Sequence, residues 1–522
     1  MEHDYDFIII GSGFGGSVSA LRLSEKGYRV RVIEKGKWYR PEDFATSNWN
    51  LKKWLWIPVL RCFGIMKVSF FRHVNILSGV GVGGGSLVYA NTLPVPKASF
   101  FHSGSWNGLA DWETELQPYY ERALRMLGAA KNPKFYDGDL AMKELAREID
   151  REQHFGPTNV AVYFGRTDQQ VPDPYFDGKG PQRTGCTFCG ACMTGCRVGA
   201  KNSLDKNYLH LAQSLGTTIL AESEVIDVRP LDNDRGETGY RVSFRSSTRL
   251  NKKRESLTAK GVIFSGGVLG TISLLLRLKQ TSLPRLSDRV GKDIRTNNET
   301  LVSVTTLDKN QDHSRGVAIG SILHSDDNSH LEIVRYAKGS GFWRLSHLPH
   351  VSGANGLIRF FKMLGVLFRS PVRYFRLFTV RDWARSTSVL LFMQTLDSTL
   401  SFRKNGLGGL STVARTSEKP MADIPESNDL IRRYARIVGG LPTALSVQVL
   451  AGTASTAHLL GGAVMGKNAN EGVIGPDNRV YGYENLWVVD GAMISANPGV
   501  NPSLSITAIA ERAMDQISPK GS

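Results

Sequence analysis

The stretch 7–34 constrains this chain more than any other. Phe7-Ile8-Ile9-Ile10 is wholly apolar and reads as a strand buried in a parallel sheet. Gly11-Ser12-Gly13-Phe14-Gly15-Gly16 follows directly. Residues 17–26 then read as helix, Gly27 stops them, and 28–33 read as a second strand ending in Glu34. The glycines differ in what they permit. Gly11 allows the tight strand-to-helix turn, Gly13 lets the backbone approach a pyrophosphate, and Gly16 lets helix pack on strand. The anion would rest on the helix N-terminus, where free amides and the helix dipole favour it. Glu34, 18 residues beyond Gly16, is placed for a ribose hydroxyl, and an acid rather than an arginine there argues against a 2′-phosphate. All parts arriving in register predict dinucleotide binding, with FAD and NAD both open at this point.

Three further segments extend the pattern. Gly79-Val80-Gly81-Val82-Gly83-Gly84-Gly85-Ser86 is either a flexible loop or a backbone passing close to the cofactor's phosphates and ring. Val262-Ile263-Phe264 reads as a strand that turns through Ser265-Gly266-Gly267 into a helix over 269–276. Leu486-Trp487-Val488-Val489 reads as another buried strand, and Asp490 at its carboxyl end is placed for a ribityl or phosphate group.

Together these segments resemble the glucose–methanol–choline (GMC) family of FAD-dependent oxidoreductases, most nearly its cholesterol oxidase branch. The resemblance is carried by the N-terminal fingerprint, Gly83-Gly84-Gly85-Ser86-Leu87-Val88-Tyr89-Ala90-Asn91, and Ala457-His458-Leu459-Leu460-Gly461-Gly462. It continues in Asp490-Gly491, Gly499-Val500-Asn501-Pro502-Ser503 and Thr507-Ala508-Ile509-Ala510-Glu511-Arg512, and so spans essentially the whole chain. It implies an α/β (α+β overall) fold: a Rossmann-like FAD-binding domain with a discontinuous substrate domain built on a mainly antiparallel sheet. The expected FAD-binding domain comprises 1–95, 186–300 and 447–522, and the substrate-binding domain 96–185 and 301–446. By the same resemblance, Gly83, Gly84, Ser86, Tyr89, Asn91 and Thr92 lie along the FAD together with Gly11, Gly13, Gly16 and Glu34. Val225 would meet the adenine through its backbone, Asp490 and Gly491 would hold the ribityl–phosphate region, and Asn501 would lie near the pyrimidine end of the flavin.

Hydride transfer from an alcohol to flavin N5 needs a group that removes or holds the hydroxyl proton, and a histidine is suited to this near neutral pH. His458, in the family's His-x-x-Gly-Gly context, is the expected base, and Asn501 the expected positioning group. Leu459 stands where the family often has proline, which changes backbone freedom but not chemistry. The implied reaction is oxidation of the 3β-hydroxyl of a sterol, or of a similar bulky lipidic alcohol, to a ketone, with oxygen as acceptor. Cholesterol oxidases also use a glutamate to isomerise the 5-ene-3-ketone. Residues 338–343 hold no carboxylate, which puts the isomerase step in question; Glu332 is the nearest candidate.

Four of the five cysteines form Cys186-x2-Cys189-x2-Cys192-x3-Cys196. The spacing approaches the bacterial ferredoxin run, and an iron–sulfur cluster, a four-thiolate zinc site, and reduced thiols in a structural turn or an adventitious disulfide all stay open. Some flavin sugar dehydrogenases of the family carry a cluster in a similar segment. A cluster here would make the chain an alcohol or sugar dehydrogenase that passes electrons to a carrier. A third alternative is a non-enzymatic flavin-binding redox protein in which His458 is structural.

A chain that is 41% hydrophobic and 21% charged is not disordered. Its net charge of +16 suits nucleic acid, an anionic membrane surface or an acidic partner, and no nucleic-acid module accompanies it. Basic and aromatic residues mingle over 51–72 and again over 357–383, where Arg369, Arg373 and Arg376 recur at helical spacing. These stretches read either as buried helix with a basic edge or as a pocket lid with a membrane-surface footprint. The acidic N-terminus lacks the features of a signal peptide, and no uncharged apolar run reaches the ~18 residues of a spanning helix. The expected location is cytoplasmic, with peripheral membrane contact as a variant. Residues 131–185 and 229–255 are polar and expected to be loop-rich or hairpin-like.

Overall fold

The computed structural model describes residues 2–231, 234–406, 408–414 and 420–521. Two seven-stranded sheets organise them. At the centre of the first lies Tyr5–Ile10, with Ile8 and Ile9 completely buried. It pairs in parallel with Val30–Ile33 on one side and Arg254–Phe264 on the other. Thr218–Leu220 and Leu486–Val488 extend the parallel part, and Ser223–Pro230 with Tyr240–Ser246 add an antiparallel meander. Strands covered on both faces explain why the sequence shows unbroken apolar runs here rather than alternation.

The helix Phe14–Glu25 follows the first strand through Gly11, whose φ of +104° is the left-handed turn expected of it. A Cβ on Gly15 would lie 1.8 Å from the Val489 carbonyl oxygen, and one on Gly16 would lie 2.1 Å from that of Gly11. Only glycines let this helix sit so close to the strand ends. The C-terminal helix Ser503–Asp515 packs against both Phe14–Glu25 and Trp112–Met126. Its buried Glu511 accepts hydrogen bonds from Arg22 Nε at 2.7 Å and the Tyr208 hydroxyl at 2.6 Å.

The second sheet is antiparallel throughout, in the spatial order His347–Pro349, Gly440–Leu445, Glu299–Thr306, Thr387–Gln394, Ser329–Val334, Ile319–Leu323, Phe155–Pro157. Its strand Glu299–Thr306 alternates. Val302 and Val304 face a core shared with the helices Asp137–Glu148 and Pro425–Ile437, while Leu301 and Ser303 face a cavity. A smaller sheet, Met66–Phe70, Val74–Gly79 and Ala454–Thr456, carries the chain to His458, two residues past its last strand.

Three local expectations differ from the structure. Residues 131–185 contain the helix Asp137–Glu148, held by a buried ion pair in which Arg335 reaches both oxygens of Asp139, at 2.8 and 3.0 Å. That partner lies 196 positions away, beyond the reach of any local pattern. Within 96–185, assigned from sequence to the substrate side, the helix Trp112–Met126 shares the core of the first sheet. Residues 357–383 form two helices, Gly356–Arg369 and Pro371–Phe378, so the helical spacing of Arg369, Arg373 and Arg376 is interrupted at Ser370, and Pro371 takes the first turn of the second helix.

Asp139 and Arg335 are both essentially solvent-free. Removing one member leaves an uncompensated buried charge, so Asp139→Ala should destabilise the fold by about 3–5 kcal/mol, read as a lowered urea midpoint.

Candidate active site

The strand Glu299–Thr306 presents Glu299 at its start, and this carboxylate organises the site. Its Oε1 accepts the Ala457 amide at 2.8 Å, and its Oε2 lies 2.5 Å from His458 Nδ1. The His458 amide in turn donates to Thr456 Oγ1 at 2.8 Å. With Nδ1 committed to Glu299, Nε2 is the nitrogen left for chemistry; it lies 3.3 Å from Asn501 Nδ2. Asn501 also donates to Glu332 Oε2 at 3.3 Å, and its Oδ1 has no partner among the described residues. The His458 side chain is 11% exposed and Glu299 1%.

Burial alone would push the His458 imidazole down. The charge and hydrogen bond of Glu299, with a smaller contribution from Glu332, outweigh that penalty, so its pKa is raised above the ordinary 6.5. Glu332 is buried and pushed up to about 8, against the opposing pull of His458 and the Asn501 hydrogen bond. Two carboxylates in one site are thus in different states: one is paired with the imidazole, the other is largely protonated at neutral pH.

His458, Glu299 and Asn501 line a cavity of about 740 Å³ that runs from the glycine turn to the second sheet. Gly11, Gly13, Glu34 and Val225 line one arm, Gly84, Tyr89 and Thr92 come from the second glycine segment, and Asp490 and Gly491 from the C-terminal strand. Leu301, Ile319, Val334, Val389 and Leu391 roof the other arm. Gly16, Gly83, Ser86 and Asn91 do not line the cavity. Gly16 serves helix packing. Ser86 Oγ donates to the Gly83 carbonyl at 2.7 Å and accepts the Leu204 amide at 3.0 Å, and so ties the loop. Asn91 is buried at φ +72°, with neither side-chain polar atom partnered among the described residues. Glu299 went unnoticed in the sequence because no local signal marks it.

The cavity fits FAD. A Cβ on Gly13 would meet nothing within 4 Å, so the helix N-terminus opens to a phosphate. Thr92 Oγ1 is buried without a partner among the described residues, a polar atom awaiting a polar ligand. Glu34 accepts Ser12 N and Oγ on Oε2 and Gly36 N on Oε1, which keeps acceptor capacity for a ribose hydroxyl. Asp490, fastened by Thr271 and the Ala492 amide and pushed up by burial to about 6, stands at the start of the helix Gly267–Lys279.

The cysteines present a different picture from the iron–sulfur expectation. Cys186, Cys189, Cys192 and Cys196 are all free and border one small cavity. Among the described residues no three His, Cys, Asp or Glu side chains are arranged to hold a metal ion. Burial pushes the Cys186 thiol up and Cys192 up to about 11. These sulfurs pack as small apolar groups with Val160, Val162 and Val317. Lys201 pins the segment to the cofactor loop, donating to the carbonyls of Leu87, Tyr89 and Cys192 at 2.8–3.0 Å.

A glycine cradle joined to a carboxylate-held histidine under an antiparallel roof defines a flavin-dependent site for oxidising CH–OH groups. The GMC oxidoreductase family matches residues 5–282 and 408–510, and the chain belongs to that family. It is 43% identical to a cholesterol oxidase of Acinetobacter baumannii over 99% of this chain and 95% of that one. It is 44% identical to a cholesterol oxidase of Mycobacterium tuberculosis (strain ATCC 25618 / H37Rv), over 100% and 92%. The crystal structure of pyridoxine 4-oxidase from Mesorbium loti superposes with a TM-score of 0.62 at 15% identity, covering 98% of each chain, which speaks for the fold alone.

Bound FAD supplies the acceptor for the carbinol hydride. His458→Ala should therefore slow anaerobic flavin reduction by about 10²–10⁴-fold while flavin stays bound. A base must be neutral to take a proton, so the rate should fall as pH drops through a value above 6.5. Glu299→Gln removes the charge that contributes most to raising the imidazole, and stopped-flow reduction across pH should show that acid limb moved downward.

Proposed function

We propose that the chain oxidises the 3β-hydroxyl of a sterol to the ketone, with oxygen as electron acceptor. The observation that carries this reading is the polarity of the cavity. Its substrate arm is walled by apolar side chains of the antiparallel sheet, and the His458–Asn501 pair sits where that arm meets the glycine-lined one. A bulky apolar body with one hydroxyl satisfies both regions, whereas a sugar would leave several hydroxyls unpaired against Leu301, Val334 and Leu391. Cholesterol oxidase relatives at 43% and 44% identity support the same substrate class.

The site residues then act as follows. Asn501 Nδ2 donates to the hydroxyl oxygen, and neutral His458 accepts the hydroxyl proton on Nε2 as hydride leaves the carbon. Glu299 stabilises the resulting imidazolium. Glu332, joined to the pair through Asn501 and with Oε1 lacking a hydrogen-bond partner among the described residues, is the group that in its ionised form would take a proton from C4 of a 5-ene-3-ketone and return it at C6, a step favoured as pH rises towards about 8.

Anaerobic addition of a 3β-hydroxysterol should bleach the flavin and air should restore it; a sugar should do neither. Bleaching by sugar alone, or recovery only with an added carrier, would overturn this reading. Glu332→Gln should retain flavin reduction within about tenfold while losing the absorbance of the conjugated enone, the pattern expected when one proton-transfer group is removed.

A further inference from the structure

The helices Gly356–Arg369 and Pro371–Phe378 leave large apolar side chains facing outward. The first buries Arg359, whose guanidinium donates to the carbonyls of Val449 at 2.6 Å and Gly353 at 2.8 Å, along with Met363. The second buries Tyr374 and Leu377. Large apolar side chains face outward instead: Leu357 is 67% exposed, Phe361 62%, Phe368 78%, Val372 62% and Phe375 70%. Leu357, Phe361 and Phe368, spaced by four and seven, share one face of the first helix, and Val372 and Phe375, three apart, share one face of the second, which packs against the first. Single exposed apolar residues are ordinary, but a contiguous stripe marks an interaction surface.

The charge around the stripe has one sign. Residues 333–381 contain nine Lys and Arg and no Asp or Glu. Lys362, Arg369, Arg373, Arg376 and Arg381 are exposed, and none forms an ion pair among the described residues. A second copy of the chain would bring the same cations against themselves. An anionic lipid surface accepts both parts of the pattern, since its phosphates meet the arginines and its acyl region takes the aromatic and aliphatic groups.

The helix pair also adjoins the substrate arm. His347 precedes it and Trp383 follows it in the chain, and both line the cavity. The first helix packs on the strand His347–Pro349 and on the turn Val447–Ala451.

We propose that residues 356–378 form an interfacial anchor that lies flat on an anionic bilayer, with Leu357, Phe361, Phe368, Val372 and Phe375 inserted among the lipids and Arg369, Arg373 and Arg376 at the phosphates. The anchor places the walls of the substrate arm at the lipid surface and makes the protein peripheral to a membrane. Its use for delivering a lipidic alcohol rests on the sterol reading, but the binding itself does not.

The test is sedimentation of the flavin-loaded enzyme with sterol-free vesicles of phosphatidylcholine, with and without phosphatidylserine. Binding should be at least about tenfold tighter to the anionic vesicles and weaken in high salt, which shortens the Debye length to about 3 Å at 1 M. Phe368→Ser with Phe375→Ser should release the protein from vesicles. Arg373→Glu with Arg376→Glu should remove the preference for phosphatidylserine. Both variants should retain flavin reduction by detergent-solubilised sterol. Equal binding to neutral and anionic vesicles, or none to either, would overturn the proposal. So would dimerisation in light scattering that the Phe368/Phe375 variant abolishes. Anionic binding without flavin reduction by sterol would instead overturn the substrate reading and leave the anchor standing.

Discussion

The Glu299 carboxylate is where two sheets become one site. It belongs to the antiparallel sheet, and it holds the Ala457 amide and the His458 ring, which the chain delivers from the small parallel pairing at Ala454–Thr456. One buried group thereby fixes the ring's tautomer, raises its proton affinity and sets the distance between roof and cradle. The C-terminal loop is docked in the same way. Asn297 donates to the Val500 carbonyl at 2.8 Å, and Asn497 donates to Gln394 and Leu396 at 3.1 and 2.8 Å. Asn501 cannot be positioned unless those strand-end contacts form.

The chemistry follows from this division of labour. The first sheet supplies backbone: amides at a helix N-terminus, glycines that admit close approach, and acids at strand ends. The second supplies an apolar roof and two carboxylates in unlike environments. Glu299 is paired with His458 and the Ala457 amide, whereas burial pushes Glu332 up to about 8. In the proposed reaction His458 is the base and Glu332 the second proton-handling group, and Asn501 contacts both.

Several features were legible before any coordinates. The N-terminal unit, the strand leading to Asp490 and the His458 and Asn501 motifs are local, and each needs only neighbouring residues to state its geometry. Other features misled because their cause is remote. Ser86 closes a glycine run suited to a phosphate, yet spends its hydroxyl on Gly83 and Leu204. The cysteine spacing suggests a cluster, whereas Cys186, Cys192 and Cys196 pack among valines, Cys189 is exposed, and Lys201 fastens their loop. The helix Asp137–Glu148 looks polar enough for a loop because its anchor, Arg335, arrives from just past the strand Ser329–Val334.

By itself, the sequence determined the dinucleotide-binding unit, which depends on short-range steric rules: where glycine must stand and where a strand must end. FAD rather than NAD, and His458 as the expected base, came with the family resemblance. Only the tertiary structure decided what state that histidine is in. Glu299 lies 159 positions before it, and no pattern along the chain links the two. The pKa of a buried group is set by the charges packed around it, and packing brings together residues that the sequence keeps apart.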